Sequence, residues 1–113
     1  MEILCWQSAF YRRWPDLRVL VVGDLMLDRY WHGATSRISP EAPVPVLRVI
    51  ERQDRVGGAG SVALNIAALG ARVRCCGLLG CDSFGDRVER PIQEVGGDTS
   101  GLVRVEDRPT ITK

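Results

Sequence analysis

The chain has 113 residues, of which 45% are hydrophobic and 26% are charged, a composition typical of a soluble globular protein. A chain of this length forms one small domain or part of a larger one. The formal net charge is +1, so no global field favours nucleic acid or an anionic membrane as a partner. No apolar run reaches the ~20 residues that span a bilayer, and the N-terminus does not resemble a secretory signal. We therefore expect a cytoplasmic protein.

The first predicted elements are a helix and a strand. Apolar side chains recur at helical spacing over residues 2 to 14, and Pro15 ends the pattern. The β-branched run over residues 18–22 then predicts a buried strand of the parallel type, which ends at Gly23. Three prolines within residues 39–45 exclude a regular helix or a central strand there. Residues 46–51 predict the next strand.

The second half of the chain alternates helices and strands. Val62, Ile66 and Leu69 share one predicted helix face, and Gly70 suits the position after the helix end. A strand is predicted over 72–79, followed by a helix from an Asp82 cap to about residue 95, which Pro91 should kink or shorten. Further strands are predicted over 102–105 and from residue 110. This order predicts an α/β fold with parallel strand pairing.

Four cysteines raise the possibility of a metal site or a disulfide. They are Cys5, Cys75, Cys76 and Cys81, and no two of them form a C-x-x-C pair. The only histidine is the distant His32. We therefore predict reduced structural thiols and no metal ligands, with Cys75 and Cys76 on opposite faces of a strand.

A glycine turn set against a helix start is the strongest functional signal. Residues 57–60 read Gly-Gly-Ala-Gly and lead directly into the helix that contains Asn65. Glycines let a ligand approach the main chain closely, and a helix N-terminus offers unpaired N–H groups to hydroxyl or phosphate oxygens. The segment therefore predicts backbone binding of a small polar molecule, with or without a phosphate group.

Other polar residues are candidates for the same site. Asp28 follows the first strand, where α/β proteins place ligand-binding groups, and a carboxylate there can accept hydrogen bonds from sugar hydroxyls. Asn65 faces either the pocket or solvent. Asp24 is better suited to capping backbone, and His32 to packing among aromatic side chains. Arg29 and Arg37 suit a phosphate, although either is more simply a structural arginine.

Two nucleotide-binding motifs need comparison with the glycine segment. Residues 58–63 satisfy G-x-G-x-x-A, and Asp82 lies near the distance expected of a ribose-binding acid. However, the charged residues 51–55 precede the glycines, where a dinucleotide site needs the end of a buried strand. A Walker A loop is absent, since the only lysine is Lys113.

Three segments together resemble the bacterial heptose 7-phosphate kinases, members of the ribokinase-like (PfkB) carbohydrate kinases. Residues 22–31 and 35–46 resemble the opening of those enzymes, and residues 57–70 resemble the family's N-terminal signature. Residues 109–113 are similar to a later strand. The run over 36–45 is the most specific to heptose enzymes. The resemblance predicts residues 1–17 as a helical extension and 18–113 as the N-terminal part of a doubly wound kinase domain with a small β lid.

The resemblance implies roles for particular residues. Asp28 matches the aspartate that binds sugar hydroxyls, and Gly57 and Gly58 match the di-glycine that contacts sugar through its backbone. Ser61 stands where the family usually has asparagine, Gly60 where it usually has alanine, and Asn65 lies in the matching helix. The proline-containing segment and its flanking strands resemble a lid that covers the sugar and often pairs with a second subunit.

The implied reaction is phosphorylation of heptose 7-phosphate at its anomeric hydroxyl, with ATP and Mg²⁺, in ADP-heptose synthesis for the lipopolysaccharide core. The family's Gly-Ala-Gly-Asp motif, with its catalytic base, is expected beyond Lys113, so we expect no catalytic residue or metal ligand within residues 1–113. Two alternatives remain: another sugar kinase of this fold, and a non-catalytic sugar-binding or dimerisation module.

Overall fold

The computed structural model describes residues 11–113, which form two three-stranded sheets and two α-helices. The elements in chain order are a 3-10 turn (Trp14–Asp16), β1 (Arg18–Val22), β2 (Leu25–Ile38), β3 (Pro45–Gly58), α1 (Ala59–Ala68), β4 (Arg72–Gly80), α2 (Ser83–Glu94), β5 (Asp98–Val105) and β6 (Ile111–Thr112). The helix predicted over residues 2 to 14 lies outside the described residues except at its end, where Tyr11 and Arg12 are helical. Within this part of the chain, neither helix has the length and apolar character needed to cross a membrane.

The first sheet confirms the predicted α/β class. Its strand order is β1-β4-β5, and both strand pairs are parallel. Both helices pack on one face of it, where the core contains side chains from β1, β4, α1 and α2. The strand predicted over 18–22 is present but is buried on one face only: Val21 is 9% exposed, while Val22 is 67% exposed. The described helices leave that second face uncovered.

The second sheet is a long antiparallel ribbon with a short parallel strand added. β2 and β3 pair antiparallel from Leu25–Gly58 to Ile38–Pro45, and β6 pairs parallel with β2 at its base. Residues 30–38 of β2 and most of 45–53 of β3 are exposed, and this outer part is called the ribbon below. The predicted strand over 46–51 is therefore too short. The charged residues 51–55 continue it because they pair in register with β2.

The buried face of α1 differs from the predicted one. Val62 and Leu69 are 50% and 57% exposed, whereas Gly60 and Ala63 are buried. The helix approaches β3 so closely that a Cβ on Gly60 would lie 2.4 Å from Cγ1 of Val56. Of the predicted face only Ile66 packs against the core, and the fully buried residues of the helix are the small Gly60 and Ala63. Gly70 ends the helix region with a φ of 92°, as its predicted position requires.

Asp82 begins α2 as predicted and also ties that helix to the segment before β6. Its carboxylate accepts hydrogen bonds from the Gly85 N–H and from both the N–H and the hydroxyl of Thr110, each at 2.8 Å. These bonds, led by the one from the Thr110 backbone, lower the pKa of Asp82. Pro91 does not shorten α2, because Val88 and Ile92, each 0% exposed, hold the helix on the core. β5 begins at Asp98, earlier than predicted.

An ion-pair cluster anchors the ribbon base to α2. Asp54 on β3 accepts two hydrogen bonds from Arg29 on β2, at 2.8 and 3.0 Å, and one from Arg87 on α2 at 2.6 Å. The Arg29 guanidinium also lies 4.8 Å from the centre of the Phe84 ring. The hydrogen bond from Arg29 is the main cause that lowers the pKa of Asp54 to about 2.

The Asp54 cluster predicts a pH-dependent contribution to stability. The folded-state pKa of about 2 lies below the unfolded value of about 3.9, so the contribution is complete above about pH 5 and is lost as pH falls towards 2. We expect Asp54→Asn to lower the free energy of unfolding near neutral pH, with the difference from wild type shrinking between about pH 5 and 2. Urea denaturation across this range measures it. The exposed Asp107→Asn is the control, and a pH-independent difference for Asp54→Asn would contradict the assignment.

Candidate functional site

The candidate site lies at the base of the ribbon, on the face of β2 that points away from the core. Side chains alternate along a strand, and Leu25 and Leu27 are each 1% exposed in the core. Met26 and Asp28 therefore belong to the opposite face. The cross-strand partners of these two residues are Gly57 and Arg55 of β3, and this side of the sheet is called the open face below.

Asp28 carries an acceptor that is buried but not hydrogen-bonded. Its side chain is 17% exposed, and Oδ1 has no hydrogen-bond partner. Lys113 Nζ lies 3.2 Å from that oxygen and forms an ion pair with it, but the two groups are not aligned for a hydrogen bond. An unsatisfied buried carboxylate oxygen is costly unless a ligand supplies a donor. The arrangement therefore suits binding of a hydroxyl group.

Gly57 is required by the position of the Asp28 carboxylate. A Cβ at residue 57 would lie 2.4 Å from Asp28 Oδ2 and 2.9 Å from Cγ of Met26. Only a glycine lets the β3 backbone approach the carboxylate this closely. The structure thus brings together two of the residues predicted for the site.

Gly58 forms the turn from β3 into α1. Its φ of 57° favours glycine, and a Cβ there would lie 2.3 Å from the Asp24 carbonyl oxygen. That carbonyl accepts a hydrogen bond of 2.8 Å from the Ala59 N–H, and no side chain caps the helix. The first turn of α1 therefore presents backbone N–H groups beside the di-glycine, as the sequence predicted for a polar ligand.

Ser61 and Asn65 follow on α1, where one turn separates them on the same side of the helix. Ser61 is half-buried in the first turn and Asn65 is exposed. No hydrogen bond of either side chain to Asp28 is present among the described residues. Their roles in binding stay predictions.

Sequence reasoning did not include Arg55 and Lys113 among the site residues. Arg55 lies opposite Asp28 on β3, while backbone hydrogen bonds with Leu27 and Arg29, at 3.0 and 2.7 Å, hold Lys113 beside β2 on the other side. Lys113 is the only lysine in a chain that otherwise uses arginine for positive charge. This unusual residue choice was the one sequence feature that could have drawn attention to it. The position of Arg55 needed the strand register, which the sequence did not provide.

Several other candidates have structural explanations. Arg29 is engaged by Asp54 and is not available to a phosphate, and Asp82 is engaged by Gly85 and Thr110 and not by a ribose site. His32 is exposed on the ribbon, with its ring 6.5 Å from that of Tyr30. Cys75 is buried, which raises the pKa of its thiol, while Cys76 is half-buried and Cys81 exposed. Cys5 lies outside the described residues.

Metal-ligating side chains are not clustered among the described residues. Residues 11–113 contain no cluster of three or more histidine, cysteine, aspartate or glutamate side chains able to hold a metal ion. The glycine turn precedes a helix without the lysine that a Walker A phosphate loop needs. No step of a phosphoryl transfer is therefore assigned to a metal on this part of the chain.

The chain is similar to curated proteins named HldE and D-beta-D-heptose 7-phosphate kinase. The chain is 62% identical over 96 residues to the bifunctional protein HldE of Shewanella amazonensis, covering 85% of this chain and 20% of that protein. It is 58% identical over 96 residues to the D-beta-D-heptose 7-phosphate kinase of Bordetella bronchiseptica, covering 85% of this chain and 30% of that protein. The chain thus spans a fifth to a third of the length of these relatives.

Solved structures of sugar kinases share the fold. An ATP-bound fructokinase from Xylella fastidiosa superposes with a TM-score of 0.65 and 28% identity, over 82% of this chain and 27% of that one. A putative ribokinase from Agrobacterium tumefaciens gives a TM-score of 0.63 and 29% identity, over 82% and 29%. The model of the pfkB family of carbohydrate kinases matches residues 16–113. The chain therefore belongs to the pfkB family of carbohydrate kinases.

Proposed function

We propose that the full-length protein containing this chain transfers a phosphoryl group from ATP to the anomeric hydroxyl of a heptose 7-phosphate, giving heptose 1,7-bisphosphate. The observation that carries the proposal is the hydroxyl-binding geometry of Asp28 and Gly57 in a chain 58% identical to a heptose 7-phosphate kinase. The product would enter ADP-heptose synthesis for the lipopolysaccharide core, in the cytoplasm. Residues 18–113 are proposed as the N-terminal part of the kinase domain, and residues 1–17 as an extension.

In this proposal the described residues bind and orient the sugar. Asp28 Oδ1 accepts a hydrogen bond from a sugar hydroxyl, and the charge of the carboxylate strengthens that bond. The backbone at Gly57 and Gly58 and the first turn of α1 supply further polar contacts, with Ser61 and Asn65 as candidate side-chain ligands. Orientation of the acceptor hydroxyl is a large part of phosphoryl-transfer catalysis, because the reacting oxygens must be aligned.

The nucleotide half of the site is proposed to come from the sequence after Lys113. ATP supplies the phosphoryl group and Mg²⁺ balances its charge, while a base takes the hydroxyl proton. Residues 11–113 contain no cluster of three or more metal-ligating side chains. The ribbon is proposed as a lid whose closure excludes water, so that ATP is not hydrolysed.

Two alternatives differ in substrate or in catalysis. A different sugar kinase of the family is favoured by the fold match to the fructokinase and the putative ribokinase. Preference for fructose 6-phosphate or ribose over heptose 7-phosphate would identify it. A non-catalytic sugar-binding module is favoured by Ser61, whose side chain reaches less far than the asparagine usual in the family. Binding without turnover by the extended protein would identify that module.

We also propose that the ribbon pairs with a second subunit. Ile38 and Ile50 lie on it with exposures of 70% and 76%, and Val44, with an exposure of 52%, lies in the turn that joins its two strands. Large apolar side chains exposed on a protruding ribbon are unfavourable in water and are common in protein interfaces. The partner that fits is a second copy of this chain, because an identical ribbon offers matching strands and apolar side chains.

The first functional prediction compares this chain with its natural extension. We expect the protein extended through its downstream reading frame to release ADP with heptose 7-phosphate and Mg-ATP, and the 113-residue chain to release none. A coupled ADP assay measures both. Sugar-dependent turnover by the 113-residue chain, or none by a folded extended protein with any sugar tested, would contradict the proposal.

The second prediction concerns the sugar-binding pair. In the extended protein, Asp28→Asn should lower kcat/KM for the sugar by about 100-fold, since it removes the charge from the hydroxyl acceptor. Gly57→Ala should also impair the enzyme, because its Cβ would displace a carboxylate oxygen that lies 2.4 Å away. Asp107→Asn is the matched control. Activity of Asp28→Asn within twofold of wild type would exclude the assigned role.

The third prediction concerns assembly. Ile50→Asp should convert the extended protein from a dimer to a monomer, because it places a charge in the proposed apolar interface. Ile50→Leu keeps the apolar area and should remain dimeric. Sedimentation velocity distinguishes the species. A monomeric wild type, or a dimer unaffected by Ile50→Asp, would show that the ribbon is not the interface.

A further inference from the structure

Three charged side chains lie side by side on the open face of the second sheet. The strand order is β3-β2-β6, and the register places Arg55 of β3 opposite Asp28 of β2. On the other side, Thr112 pairs with Leu27, and Lys113 follows it to put Nζ 3.2 Å from Asp28 Oδ1. A single carboxylate therefore stands between two cations, and the group carries a net charge of one positive unit.

Arg55 and Lys113 both keep hydrogen-bonding capacity that no acidic group among the described residues satisfies. The Lys113 side chain is 74% exposed, and its ion pair with Asp28 lacks the geometry of a hydrogen bond. Arg55 donates a hydrogen bond of 3.0 Å to the Gln53 side chain and lies 5.2 Å from the centre of the Tyr30 ring. No acidic side chain pairs with Arg55 among residues 11–113. Arg29 and Arg87, by contrast, are both paired with Asp54.

We propose that Arg55 and Lys113 bind the phosphate group of a phosphorylated sugar whose hydroxyls are held by Asp28. This inference rests on the proposed function and names the feature of the substrate that the site selects. Arginine and lysine together match a phosphate monoester, the arginine through its planar fork and the lysine as a compact charge. Their strands are separated by two strand spacings, roughly 10 Å, which two long side chains can bridge above Asp28.

Asp28 makes the site selective for a molecule that carries both a phosphate and a hydroxyl group. The carboxylate repels an anion placed directly on it and attracts a hydroxyl, so the phosphate is held by the flanking cations and the sugar ring by the acid. Occupation by the phosphate draws Lys113 Nζ away from Oδ1, which leaves that oxygen to the sugar hydroxyl. A phosphorylated sugar thus satisfies all three side chains, and an unphosphorylated sugar satisfies one.

The ribbon supplies a matched control for Arg55. Arg52 is on the same strand, is exposed, and lies 4.4 Å from the centre of the Trp31 ring, much as Arg55 lies over Tyr30. The register pairs Arg52 with Trp31, whereas Arg55 pairs with Asp28. Alternation of side chains along the strand therefore places Arg52 on the face opposite the site.

The test is calorimetric titration of the extended protein, without nucleotide, with heptose 7-phosphate and with the same heptose lacking the phosphate. Wild type should bind the phosphorylated sugar more tightly. Lys113→Gln and Arg55→Gln should each weaken binding of the phosphorylated sugar by about 10- to 100-fold relative to the unphosphorylated one. Arg52→Gln should leave the ratio of the two dissociation constants within about threefold of wild type. Asp28→Asn should weaken binding of the unphosphorylated sugar, because it removes the charge from the hydroxyl acceptor.

Failure of this inference is distinguishable from failure of the proposed function. If the extended protein turns over heptose 7-phosphate but the ratio is unchanged in Lys113→Gln and Arg55→Gln, the function stands and the phosphate site is wrong. If it turns over only fructose 6-phosphate, the same titrations with fructose 6-phosphate and fructose decide the inference. Equal affinity of wild type for the phosphorylated and unphosphorylated forms of both sugars would overturn it.

Discussion

The alternation of side chains along β2 is the constraint on which both the core and the candidate site depend. Leu25 and Leu27 are each 1% exposed and contribute to the core, so Asp28 is forced onto the open face. A slip of one residue in the pairing of β2 with β3 would bury the carboxylate and expose both leucines. The hydrophobic energy that stabilises the sheet on the helices therefore also sets the position of the Asp28 carboxylate.

The two faces of the ribbon base use charge differently. On the face that contacts α2, Asp54 is satisfied by Arg29 and Arg87, and its pKa falls to about 2. On the open face, Asp28 keeps a carboxylate oxygen without a hydrogen bond, and the cations beside it remain largely exposed. The fully hydrogen-bonded ion pairs of Asp54 hold the strands and α2 together. A charged group that lacks a hydrogen-bond partner, such as Asp28, is instead available to a ligand.

Local sequence signals predicted much of this fold, and long-range packing explains where they failed. The strand at residues 18–22, the Asp82 cap and the Gly70 helix end follow from local chemistry and are confirmed. The predicted face of α1 was correct for Ile66 and wrong for Val62 and Leu69, because the helix packs closely on β3 through the small Gly60 and buries Ala63. Asp28 and Gly57 were both predicted as site candidates from their positions, but their close contact and the place of Arg55 and Lys113 needed the strand register.

The most direct test of this account is a crystal structure of the extended protein with heptose 7-phosphate bound. The account predicts a sugar hydroxyl within hydrogen-bond distance of Asp28, the ring against the Gly57–Gly58 backbone, and the phosphate in contact with Arg55 and Lys113. A sugar bound elsewhere, or bound here with Asp28 still paired only to Lys113, would contradict the central claim that the open face of β2 is the sugar site.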